Sequence, residues 1–190
     1  MNLEQPDGQS TELVQGAKIS NDNLFPIVGI AASAGGLEAF TQLLTHLPID
    51  TGMAFVLIQH LAPDHKSLLR EILARITLMP VIEAVDGMVV EPNCVYAIAP
   101  NTKMILDRGR LRLAAREKVA GKYMPGDAFF SSLATERKNK AIAVILSGGD
   151  GDGSLALTEI KAAGGITFAQ CEGTAKHDSM PNTAVATGNV

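Results

Sequence analysis

The stretch VGIAASAGGLEAF, Val28 to Phe40, decides how this chain is read. An apolar run stops at Ser33, three small residues follow, and an amphipathic pattern begins at once. PIVGIAA (26–32) reads as a strand buried on both faces. LEAFTQLLTHL (37–47) places Leu37, Phe40, Leu43, Leu44 and Leu47 on one side, which is the pattern of a helix. Ser33 therefore stands at a strand-to-helix turn, and three roles fit it. It caps the helix, it belongs to a phosphate cradle, or it is a nucleophile held up at the end of a strand. The segment matches neither GxGxxG nor GxxxxGK[ST], and it lacks the second glycine of GxSxG. Its small neighbours permit a tight turn. The unpaired N–H groups of a helix start, here at Ala34 and Gly35, suit a developing oxyanion.

The same alternation continues outward. MAFVLIQ (53–59) is a second buried strand, and Leu68, Leu69, Ile72, Leu73 and Ile76 mark a second helix. PVIEAV (80–85) is a short strand. In the middle, CVYAIAP (94–100), KMILDR (103–108) and RLRLAA (110–115) are joined by short turns and read as an antiparallel meander. A helix at 126–139 follows, with Asp127 as its expected N-cap. Then come the strand AIAVILS (141–147), the loop GGDGDG, a helix near 153–163 closed by Gly164 and Gly165, the strand ITFAQ (166–170) and a helix from about 180 to 186. The expectation is a mainly parallel, doubly wound α/β sheet with helices on both faces and an antiparallel hairpin at one edge.

Composition narrows the function. The 190 residues contain 46% hydrophobic residues, and mean hydropathy is +0.16, as in a globular domain. Residues 1–23 are polar, without the basic start and apolar centre of a signal peptide, and read as a flexible leader before a domain at 24–190. No apolar run reaches the roughly 18 residues of a membrane span. A net charge of −4, two tyrosines and no tryptophan argue against general nucleic-acid binding. Cys94 and Cys171 sit in apolar segments and read as two buried free thiols of a cytoplasmic protein. One basic run, with Lys103, Arg108, Arg110, Arg112, Arg116, Lys118 and Lys122, reads as a solvated face that also suits an acidic partner.

In an open α/β sheet the carboxyl ends of the strands meet in one crevice. Ser33 follows the first strand and His60 the second, and Asp150 and Asp152 follow the strand at 141–147. Of the four histidines, His46 suits a helix C-terminus, and His65 and His177 fall in polar surroundings. SGGDGDG fails the calcium-loop pattern, since Leu155 and Lys161 stand where that pattern needs glycine and glutamate. By chemistry alone either aspartate serves to hold His60 in its working tautomer.

With these stations placed, the chain resembles the catalytic domain of CheB-type protein-glutamate methylesterases. The likeness runs in order through VGIAASAGGLEAF, VLIQHLAPDHKSLL, VYAIAPN, DAFFSSLA, AIAVILSGGDGDGSLAL, GGITFAQ and SMPNTAV, from Pro26 to Val190. It implies an α/β fold and a triad with Ser33 as nucleophile, His60 as general base and Asp152, rather than Asp150, as the acid partner. Backbone N–H groups at Ala34 and Gly35 are expected to form part of the oxyanion hole. The implied reaction is hydrolysis of glutamate γ-methyl esters on methyl-accepting chemoreceptors, with no cofactor or metal. Some members also deamidate receptor glutamines. Ala34 and Gly149 depart from the family's usual threonine and methionine. The leader is too short for a receiver domain, so the expectation is a module like that of fused methylesterase–methyltransferase sensory proteins. The competing expectation is a non-catalytic docking or sensory module that keeps the fold.

Overall fold

The computed structural model describes residues 25–59, 68–116 and 123–190. The expected leader and His60 lie outside these residues, as do His65, Lys118 and Lys122. The strands are β1 (Ile27–Ala32), β2 (Ala54–Gln59), β3 (Val81–Glu83), β4 (Met88–Val89), β5 (Val95–Ala97), β6 (Thr102–Asp107), β7 (Arg110–Ala115), β8 (Ala141–Ile145) and β9 (Ile166–Ala169). The helices are α1 (Gly36–Thr45), α2 (Leu69–Leu73), α3 (Pro125–Arg137), α4 (Leu157–Ala162) and α5 (Ser179–Ala186). Six strands form one sheet in the order β3-β5-β2-β1-β8-β9, and every pairing in it is parallel. Among the described residues, no helix is long and apolar enough to cross a membrane.

Strand β1 is buried along its whole length. Its residues alternate between two cores, as a pleated strand requires. Val28, Ile30 and Ala32 pack with Phe40 and Leu44 of α1. Ile27 and Ala31 share the other core with Phe129, Phe130 and Leu133 of α3 and with Leu157 and Ile160 of α4. Gly29 faces that second side. A Cβ there would stand 2.9 Å from Phe130 and 3.0 Å from Phe129, so the missing side chain is what lets the two rings close on the sheet.

The middle of the chain departs from the expected meander. Val95–Ala97 is fully buried and pairs parallel with both β2 and β3, inside the main sheet. Tyr96 explains the placement: its ring is buried, and its hydroxyl accepts the N–H of Glu91 at 2.8 Å. Asn101, in the left-handed region at φ 57, turns the chain out of the sheet. Strands β6 and β7 then pair antiparallel through Arg108 and Gly109, both at positive φ, which is the two-residue turn that suits strand twist. With β4 they form a separate three-stranded sheet. Arg110 and Arg112 of the basic run point outward from it.

Three smaller expectations change. Asp127 is not the N-cap of α3; Met124 holds that position, followed by Pro125. Helix α4 begins at Leu157, where the preceding Ala156 gives its N–H to the Asp127 carboxylate. Cys94 is buried, but Cys171 is exposed, since it lies past the end of the edge strand β9.

Replacing Gly29 by valine should force the rings of Phe129 and Phe130 away from β1. The expected loss is about 1–3 kcal/mol of stability, read as a lower urea midpoint with an unchanged denaturant slope.

Candidate active site

Strands β1 and β8 are neighbours, yet their chains leave in opposite directions. From β1 the chain passes through α1 to β2 on one side; from β8 it passes through α4 to β9 on the other. The two helices belong to opposite cores. This is a switch point, where a crevice opens at the carboxyl ends of the strands. Ser33 and the Asp150–Asp152 loop both stand there.

Ser33 follows the last paired residue of β1 and is half-buried. Its N–H donates to the Ser147 carbonyl at 3.0 Å, and its own carbonyl accepts from Gly36 at 2.9 Å. It does not cap α1: Gly35 is the N-cap, at φ 77, and no side chain bonds to the helix start. The capping role is thus absent, and the hydroxyl stands at the strand end without it. Gly35 cannot be replaced freely, since a Cβ there would lie 2.6 Å from the Ser147 hydroxyl in a left-handed backbone. Among the described residues, the N–H groups of Ala34 and Gly35 donate to no acceptor.

His60 lies outside the described residues. Gln59, immediately before it, pairs with Ala32, immediately before Ser33.

Asp152 is 1% exposed. One carboxylate oxygen accepts the N–H of Gly126 at 2.9 Å and the other accepts that of Asp127 at 3.1 Å. Its negative charge therefore sits on the first turn of α3, where unpaired N–H groups and the helix dipole favour an anion. Burial works the other way. Desolvation, with the nearby carboxylates of Asp127 and Asp150, outweighs these bonds and raises the Asp152 pKa to about 7. Asp150 is more exposed and accepts the N–H of Asp152 at 3.2 Å, so it shapes the loop from outside.

Ser147 is a joint that the sequence did not single out. It is 1% exposed. Its hydroxyl donates to the Ala34 carbonyl at 2.8 Å and accepts the His177 N–H at 3.0 Å. Its backbone N–H donates to the Gln170 side chain at 2.9 Å. One residue thereby ties the Ser33 turn, the aspartate loop and the segment after β9. Beside it a cleft of about 430 Å³ opens between Glu38 and Gln42 of α1 and Thr174 and Lys176. The available signal was a serine ending a buried strand. Among the described residues, no group of three or more His, Cys, Asp or Glu is placed to hold a metal ion.

The buried Asp152 has a consequence for stability. Its folded pKa, about 7, lies above the unfolded value near 3.8, so the folded chain keeps a proton that the unfolded chain releases between these values. Its contribution is present below about pH 4 and is lost as pH rises through about 7. The stability difference between wild type and Asp152→Asn should therefore move against wild type from pH 4 to pH 8. Urea unfolding across that range measures it, and the pH-independent cost of the substitution cancels in the trend.

The family model described as CheB methylesterase matches residues 28–190. A protein-glutamate methylesterase/protein-glutamine glutaminase of Burkholderia lata is 37% identical over 163 residues, covering 85% of this chain and 48% of the relative. One from Burkholderia orbicola is 36% identical over 163 residues. An uncharacterized 104.1 kDa protein of Rhodobacter capsulatus is 41% identical over 117 residues, which is 62% of this chain and 12% of that protein. The chain thus spans about half the length of the methylesterase relatives it matches. The crystal structure of the Thermotoga maritima CheB methylesterase catalytic domain superposes with a TM-score of 0.79 at 29% identity, covering 88% of this chain and 90% of that one. The match takes in the switch-point crevice and the sheet that builds it: this chain belongs to the CheB methylesterase family.

Proposed function

We propose that this domain is a serine hydrolase that removes methyl esters from glutamate side chains of methyl-accepting chemoreceptors. The observation that carries the reading is Ser33, which does not cap α1 and ends β1 beside the β8 loop that bears the buried carboxylate of Asp152. The names of the Burkholderia relatives support both the ester and the amide reaction.

In this reading His60 takes the Ser33 proton as the oxygen attacks the γ-carbonyl. The tetrahedral oxyanion forms against the N–H groups of Ala34 and Gly35, which have no other acceptor among the described residues. The carbon–methoxy bond breaks, His60 returns the proton, and methanol leaves. Water then attacks the acyl-enzyme by the same path and restores the glutamate carboxylate. Asp152 holds the His60 ring and stabilises its charged form. The deamidation variant releases ammonia in place of methanol. The scheme calls on no cofactor.

The reading places the domain in the cytoplasm, with free thiols at Cys94 and Cys171. The alignment of 117 residues to a small part of a 104.1 kDa relative supports a setting within a longer chain, which suits fusion or association with a methyltransferase. Ala34 and Gly149 stand on the two loops of the crevice, so they bear on which receptor is accepted rather than on the type of reaction.

Methanol release from methylated chemoreceptor tests the reading. Ser33→Ala and His60→Ala should each lower kcat by roughly 10⁴-fold or more, and their combination should cost little beyond either alone. Asp150→Asn should leave the rate nearly unchanged. Methanol release that persists in Ser33→Ala would displace Ser33 as nucleophile. A wild type that releases no methanol and whose Ser33 resists a fluorophosphonate label would instead be a docking module.

A further inference from the structure

Helix α3 carries a second acid whose chemistry the scheme above does not use. Asp127 is the third residue of α3. Its N–H donates to Asp152, and its own Oδ1 accepts the N–H of Ala156 at 2.9 Å. The backbone at Gly153 and Leu155 lies near the same carboxylate and lowers its pKa, against the burial that raises it. Each aspartate is thus fastened to the other's peptide run. Asp152 caps the start of α3, and Asp127 gathers the turn that directly follows Asp152. Gly126 completes the join, since a Cβ there would stand 3.0 Å from the Asp152 carboxylate. The second oxygen of Asp127 is buried and has no partner among the described residues.

A merely structural tie between α3 and the loop before α4 would need only the bond to Ala156. The geometry does more, because it sets a second carboxyl group, itself pushed up by burial, beside the one at the crevice. We infer that Asp127 is a positioning residue for Asp152: it fixes the 152–156 turn on α3 and so holds the Asp152 carboxylate in place at the crevice. This rests on the reading of Asp152 as the acid partner of His60.

The groups that face this pair are Asp150 from the same loop, Tyr123 from the segment before α3 and Glu159 from α4. Arg116 stacks on the Tyr123 ring at 3.9 Å from its centroid. Asp127 and Asp150 both press the Asp152 pKa upward, as burial does. Burial pushes the Asp127 carboxyl up as well, and where it is ionised, removing its charge lets Asp152 ionise at lower pH. The acid limb of kcat belongs to the coupled His60–Asp152 pair, and it moves the same way, because a negative charge near either member favours its protonated form.

Steady-state methanol release against pH, with Asp127→Ala, Asp127→Asn and Asp152→Asn compared, tests the inference. Asp127→Ala frees the turn and should lower kcat by about 10²-fold with KM unchanged, the scale of a small displacement at a catalytic group. Asp127→Asn keeps an oxygen for Ala156, so it should recover most of the plateau while its acid limb shifts to lower pH. A wild-type plateau and an unmoved limb in both variants, with only a lower melting temperature, would reduce Asp127 to a folding tie and overturn the inference. If Asp127→Ala does not fold, the limb of Asp127→Asn decides alone. Asp152→Asn separates the two claims: full activity there refutes the role of Asp152 itself, whereas a large loss there beside unaffected Asp127 variants refutes only the inference.

Discussion

Strand β1 is enclosed on every side. It is paired along both edges, to β2 and β8, and covered on both faces. Within it no polar side chain has a place, since each would be buried without a partner. A reactive group on this strand can stand only at its end, where the sheet stops and the crevice begins. The same enclosure makes that end rigid. The Ser33 N–H is held by the Ser147 carbonyl, and the next turn is locked by a left-handed Gly35 packed against the Ser147 hydroxyl.

The two halves of the crevice are joined by polar contacts that run between elements. Ser147 fastens the β1 turn to the β8 loop and to the segment after β9. Asp152 and Asp127 fasten that loop to α3. Such contacts reward enclosure, because a hydrogen bond out of water is strong when complete and costly when broken. They also explain why a carboxylate with a raised pKa is tolerated. The binding groups that hold it are backbone N–H donors at a helix start, which need an acceptor in any case. Stability is given up at this point in exchange for a carboxylate held in a fixed place.

Much of this was legible in the chain. The apolar runs at 27–32 and 54–59 announced central parallel strands, and Gly35, Gly109 and Gly164 stand where the backbone takes positive φ. The position of Ser33 at a strand end followed from the same pattern. Val95–Ala97 was misread because a short apolar strand does not declare its partner. Its pairing with β2 and β3 depends on residues far away in sequence and on the burial of Tyr96. Asp127 looked like a cap because it lies near a helix start, but the cap is supplied from another loop. Cys171 looked buried because its strand is apolar, and the edge of the sheet exposes it.

By itself, then, the sequence determined where strands and helices lie, which turns need glycine, and which polar side chains can stand at strand ends. Those properties are local: they follow from periodicity and from the steric limits of single residues. Only the tertiary structure decided that β8 lies beside β1, that α1 and α4 take opposite faces, and that Asp152 is buried on the first turn of α3. Desolvation and hydrogen bonding between residues 26 positions apart are properties of packed elements, and no run of residues carries them alone.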